Sequence, residues 1–164
     1  MNMHLLLPFA CITLLAVIAV QDYLVPALRQ KSISSGLTGA YDGYLLAAFA
    51  FLSTAMVIAF RDVPVLSQVL ADGAAGFLVL TGASGRFSDD FPNGELWHTR
   101  LTAVTFVLAI ALQFVTNGHD PKLWVLTFGG VLYALTTHFL VPVASVTEKV
   151  GVTSLCLWLI AWSV

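Results

Sequence analysis

The chain has 164 residues, a formal net charge of −2, and a composition that is 59% hydrophobic and only 10% charged, with a mean hydropathy of +0.90. A water-soluble domain needs far more polar surface than this, so an integral membrane protein is the class that fits. Seven basic residues spread along the chain form no basic patch, which argues against a nucleic-acid partner.

The first apolar run, residues 5–28, exceeds the roughly 20 residues that cross a bilayer. The leading Met-Asn-Met-His lacks the Lys or Arg of a secretory signal, so a retained helix is expected. Residues 29–40 read RQKSISSGLTGA, where Ser and Gly compete with regular structure and Arg29 and Lys31 require water. A second span is predicted over residues 41–60, with Asp42 in its first turn at the positive end of the helix dipole.

Pro64 suits the first turn of a third span over residues 63–83, which Gln68 and Asp72 interrupt. Gln68, Asp72 and the Ala75/Gly76 pair share one helical face, expected to point into the bundle. An ionised carboxylate at mid-bilayer costs several kcal/mol. Asp72 is therefore expected to be neutral and bonded to Gln68, Gln113 or a threonine, or to face a watery cavity as part of a proton-coupled carrier.

The stretch from Arg86 to Arg100, RFSDDFPNGELWHTR, gathers charge in a chain that otherwise avoids it, and is read as a loop. A fourth span follows over residues 99–115, in which Thr102 and Thr105 can bond carbonyls of their own helix. The TNGHDPK connection carries Asn-Gly and Asp-Pro turn chemistry and leads to a fifth span over residues 123–141. The sixth covers residues 143–164, with Glu148 and Lys149 in its first turns and Trp158 and Trp162 placed as an aromatic belt. Cys11 and Cys156 sit within apolar runs and read as packing residues; a bridge between the first and last helices is allowed by their depth. Gly73, Gly76, Gly129, Gly130 and Ala134 read as sites of close helix approach.

The expected fold is thus all-α, a single integral membrane bundle of six transmembrane helices with short loops. Parity places the Ser/Gly loop, the Arg86 to Arg100 loop and the Pro142 join on one face. The charge count alone would make that face cytoplasmic. There Asp42, Asp89, Glu95, His98, Arg100, His138 and Glu148 are candidate ligand-binding residues lining a shallow polar pocket. No dense metal or nucleophile motif occurs. Haem or a divalent metal held by His98 and His138 is an alternative, as is hydrolysis by Ser84 or Ser88 with His98 and Asp89 or Asp90, of which Gly82-Ala83-Ser84-Gly85 is a loose echo.

Ser34-Ser35-Gly36, Tyr41-Asp42-Gly43, the glycine-bearing third span, Pro92 and His98, and Thr147-Glu148-Lys149-Val150-Gly151 with Trp158 carry a resemblance. The chain resembles the bacterial six-span membrane proteins of domain-of-unknown-function family 998, distantly like the Frag/DRAM/Sfk group. Glu148-Lys149 stands where that family more usually has a glycine followed by an arginine. The resemblance implies a multi-pass protein of the bacterial inner membrane with cytoplasmic termini, and brings no settled activity. The function expected from the sequence is non-catalytic: binding a membrane lipid or quinone-like molecule, or serving as an accessory subunit beside other membrane subunits. The alternatives are an enzyme acting on a lipid head group at the His98/His138 face and a carrier using Asp72.

Overall fold

The computed structural model describes residues 3–25, 33, 42–86, 93–140 and 144–164. They form six helices: α1 (Met3–Leu24), α2 (Asp42–Ala59), α3 (Val65–Arg86), α4 (Gly94–Thr116), α5 (Pro121–Leu140) and α6 (Ala144–Ser163). Three of them carry stretches long and apolar enough to cross a membrane, Leu5–Leu24, Val65–Ser84 and Leu96–Thr116, while α2 offers the shorter apolar stretch Gly43–Ala59.

Local chemistry explains where the helices stop. α1 ends at Leu24, short of the expected residue 28, because the residue before a proline is disfavoured in helical conformation and Pro26 follows Val25. α4 begins at Gly94, five positions before the expected residue 99. Asn93, at φ 64°, turns the chain through the left-handed region that Asn tolerates better than most residues, and its carbonyl accepts from the Trp97 amide at 3.1 Å. Glu95, His98 and Arg100 therefore sit on helix α4 and not in a loop. The α4–α5 turn behaves as its sequence predicts. Gly118 takes φ 53°, and the Asp120 carboxylate accepts from the Lys122 amide at 2.9 Å, with Pro121 opening α5.

The helices pack as an open ring in the order α4, α3, α2, α1, α6, α5, and α4 touches α5 and α6 only lightly. The core is built at helical spacing from Leu45, Ala48, Phe49, Leu52, Ala55 and Met56 of α2, joined by α1, α3 and α6. Ile33, the one described residue of the first loop, is also buried. Outward positions are occupied by large apolar side chains such as Phe9, Val69, Val107, Phe128 and Leu132, a surface suited to lipid.

Three expectations about direction change. Asp72 and Gly76 are exposed on the outer side of α3, while Ala75 is buried, so the Asp72 stripe faces away from the bundle interior. Trp158 is fully buried and Trp162 stacks on Phe60 with ring centres 4.1 Å apart, so neither forms an outward belt. Tyr23, Tyr44 and Trp97 are exposed at the opposite end. Of the expected close-approach glycines, Gly130 is crowded by Ser154 and Gly73 lies against Leu108, whereas Gly76 and Gly129 face open space.

Candidate ligand site

At the end of the bundle holding Ser84 and His98, a polar seam joins α3 to α4. His98 Nδ1 lies 3.1 Å from Ser84 Oγ and 3.2 Å from the Thr81 carbonyl, and Thr102 Oγ1 is 3.5 Å from Nε2. The Thr81 carbonyl only accepts, so it pairs with Nδ1 in the tautomer that carries the proton there. Ser84 gives its own proton to the Thr81 carbonyl at 2.9 Å. The pair nominated for hydrolysis is therefore brought together, with the serine proton directed to its own helix. One turn further in, Thr81 and Thr105 hydroxyls meet at 3.0 Å, and Thr105 also bonds the Leu101 carbonyl at 2.9 Å. The seam fastens two helices and orients an imidazole.

Of the other candidate residues of this end, Arg100 and Glu148 are those whose side chains are described. Arg100 is exposed, its guanidinium 5.6 Å from the centre of the exposed Trp97 ring. Glu148 is half-buried on α6. Asp89 lies outside the described residues, as do the side chains of Asp42, Glu95 and His138, which belong to α2, α4 and α5. Among the described residues no three His, Cys, Asp or Glu side chains gather as a metal site. One pairing at this end was not foreseen: Lys149 Nζ bonds both oxygens of Asp22, at 2.8 and 2.7 Å, tying α6 to α1.

The opposite end holds a second network. Asn117, just past α4, donates from Nδ2 to Thr127 Oγ1 at 3.0 Å, and its Oδ1 accepts from Trp158 Nε1 at 2.7 Å. One buried amide thus links α4, α5 and α6. Phe114, Trp124 and Phe128 pack as neighbouring rings 5.2 to 5.7 Å apart and hold the same ends of α4 and α5 together.

Between these two ends α4, α5 and α6 part around a cleft of about 220 Å³. Phe106, Ile110 and Gln113 line it from α4 at spacings of four and three, and Thr127, Gly130 and Ala134 from α5 in the same way. α6 contributes Thr147, Gly151 and Ser154. The glycines shape it. A β-carbon on Gly130 would come within 2.8 Å of the Ser154 Cβ, and one on Gly151 would run into the Phe106 ring. Its walls are mostly apolar, and Thr127, which belongs to the Asn117 network, closes one end.

Gln113 is the one amide in this wall, beside the hydroxyl residues Thr127, Thr147 and Ser154. It is 6% exposed, and its side-chain amide forms no hydrogen bond with any described residue. Beside it the Thr127 hydroxyl accepts from Asn117 and keeps its own proton to donate. The closed end therefore presents donors and an acceptor to an apolar channel. The sequence offered Gln113 as a candidate partner of Asp72, which instead faces outward; what could have drawn it into a site is the run of small residues, Gly130, Ala134, Gly151 and Ser154, on the helices that face it. Comparison with protein-family models, curated proteins and solved structures returns no match.

Proposed function

We propose that this protein is a six-span membrane bundle that binds a lipid or quinone-like amphiphile in the cleft between α4, α5 and α6 and performs no chemistry on it. The observation that carries the reading is Gln113, whose side-chain amide lines a mostly apolar cleft and has no hydrogen-bonding partner among the described residues. A ligand carbonyl or hydroxyl can bond that amide. At about 220 Å³ the cleft falls below the roughly 300–1,000 Å³ of pockets that enclose a drug-sized ligand. It suits a head ring or one segment of chain, with the remainder lying in the gap between α4 and α5.

Extending the span count from three to six rests on the outward surfaces of the other helices. Val57 of α2, Val125 and Leu132 of α5, and Leu157 of α6 are exposed and apolar like those of the three long apolar helices. An enzyme using Ser84 has less support, because that hydroxyl donates to Thr81. A carrier using Asp72 has less support too, because Asp72 lies on the outside of α3, away from the cleft.

The test is ligand retention by the purified full-length protein, titrated separately with decylubiquinone and with dioleoylphosphatidylglycerol and read by native mass spectrometry. Gln113→Leu is expected to weaken binding of the retained molecule about five- to tenfold, the worth of one hydrogen bond. Ala134→Leu, which fills the cleft, is expected to abolish it. Retention of neither molecule, or wild-type binding by the filled variant, would sink the reading.

A further inference from the structure

Polarity inside the cleft is sorted along its length. Gln113 stands one helical turn before Asn117 on α4, Ser154 one turn before Trp158 on α6, and Thr127 of α5 is itself bonded to Asn117. All three therefore lie toward the end that the Asn117 network closes. Farther from it the described lining is apolar apart from Thr147. Among the described residues that line the cleft none is charged. Of the lysines and arginines on these three helices, Arg100 and Lys149 belong to the other end, where Lys149 pairs with Asp22. Lys122 is exposed in the first turn of α5, nearer the helix end than the Asn117–Thr127 bond and the rings that hold α4 to α5.

Depth and charge together select the ligand. The apolar stretch of α4 runs Leu96–Thr116, so its midpoint is Phe106. At 1.5 Å per residue Gln113 is about 10 Å from mid-span, inside the roughly 15 Å apolar half-thickness of a bilayer. An ionised head brought to that depth with no counter-ion is strongly penalised, whereas a neutral carbonyl needs one donor. Donors are what the closed end supplies: the Gln113 amide, and the Thr127 hydroxyl, which accepts from Asn117 and keeps its own proton. At about 220 Å³ the space takes one ring and is too small for a phosphoglycerol head with two acyl chains.

We propose that the cleft takes an uncharged, ring-headed amphiphile of the quinone class, seated head first with a ring carbonyl on Gln113 and Thr127 and its apolar tail leaving between α4 and α5. This rests on the ligand reading above and narrows it, since it excludes phospholipids. The exit for the tail is the loose side of the bundle, where α4 touches α5 and α6 only lightly. Oxidised and reduced forms both fit. A quinone accepts hydrogen bonds and a quinol also donates them, neither is charged, and an amide beside a hydroxyl serves either.

The experiment compares heads. Full-length protein is titrated with decylubiquinone, with decyl phosphate, which has the same tail on a charged head, and with dioleoylphosphatidylglycerol, all read by native mass spectrometry. Decylubiquinone should be retained, with half-saturation at least about tenfold lower than for decyl phosphate. Dioleoylphosphatidylglycerol should bind wild type no better than it binds the cleft-filled Ala134→Leu variant. Head-first seating is read in a W97F/W124F/W162F variant, whose remaining Trp158 lies behind Asn117 and Thr127. A quinone ring quenches tryptophans close to it, so Trp158 emission should fall saturably with decylubiquinone, and should not fall so when Ala134→Leu is added. Thermal unfolding shows that each variant is folded. Decyl phosphate or dioleoylphosphatidylglycerol bound as tightly as decylubiquinone, and lost on Ala134→Leu, overturns the proposal and leaves the ligand reading standing. Retention of none of the three overturns both. Decylubiquinone bound without quenching Trp158 overturns the head-first seat and the proposal with it.

Discussion

Just beyond α4, Asn117 serves two neighbouring helices with one side chain, donating to Thr127 and accepting from Trp158. In lipid the hydrophobic effect does not distinguish a buried helix face from an exposed one, so such bonds decide which faces meet. Interhelical hydrogen bonds in membranes are worth about 0.6 kcal/mol on average and up to about 1.7 kcal/mol. Asn117→Ala breaks two of them and leaves the buried Trp158 N–H unsatisfied, so it should destabilise the bundle by about 1–3 kcal/mol. Trp158→Phe breaks one and keeps most of the volume, so its cost should be about half as large. Unfolding by steric trapping measures both, and equal losses would contradict the shared role of Asn117. Sequence alone placed Trp158 near a helix end, where an aromatic belt is common. It gave no sign of the rotation that turns this ring inward, since every face of α6 carries apolar residues.

Element by element, helix existence was legible and helix orientation was not. Apolar runs bounded by polar or turn-forming residues located all six helices, with end errors where Pro26 stops α1 early and Asn93 starts α4 early. Which face of a helix turns inward is read in water from the contrast between apolar and polar sides. A lipid-facing side is as apolar as a core-facing one, so that contrast vanishes, and Asp72 was assigned inward when it faces out. The cleft was hidden for the same reason, being shared among three helices, none of which carries a motif. Glycine contacts now separate positions that looked alike. Gly151 lies under the Phe106 ring and Gly129 faces open space. Gly151→Ala should cost about 1–3 kcal/mol by overpacking and narrow the cleft, with recovery when Phe106→Leu is added. Gly129→Ala should be neutral or mildly stabilising. Thermal unfolding of the three variants tests this, and equal costs for the two alanines would contradict it.

At the scale of the whole molecule, the ring of helices is held from opposite ends by different chemistry. Asp22 and Lys149 join the first helix to the last at the end that holds His98, and both side chains are only partly exposed. Their coupling in a double-mutant cycle is expected near 1 kcal/mol and should fall at high salt, as for a partly wet ion pair. The exchanged pair Asp22→Lys with Lys149→Asp should recover most of it; additivity of the single variants would show that the contact contributes nothing. The sequence contained both residues, at the end of one apolar run and the start of another. Only the antiparallel packing of α1 on α6 puts them together.

The opposite end is where α4 and α5 are pinned, by Asn117 on Thr127 and by the rings of Phe114, Trp124 and Phe128, and away from that pin the two helices part around the cleft. A pair of rods fastened at one end and separated along the rest has the shape of a wedge. The two leaflets of a bilayer differ in lipid composition and lateral pressure, so under the proposed ligand-binding reading a wedge that widens toward one leaflet would take its ligand from that leaflet, and the side on which the Asn117 turn sits would set which one.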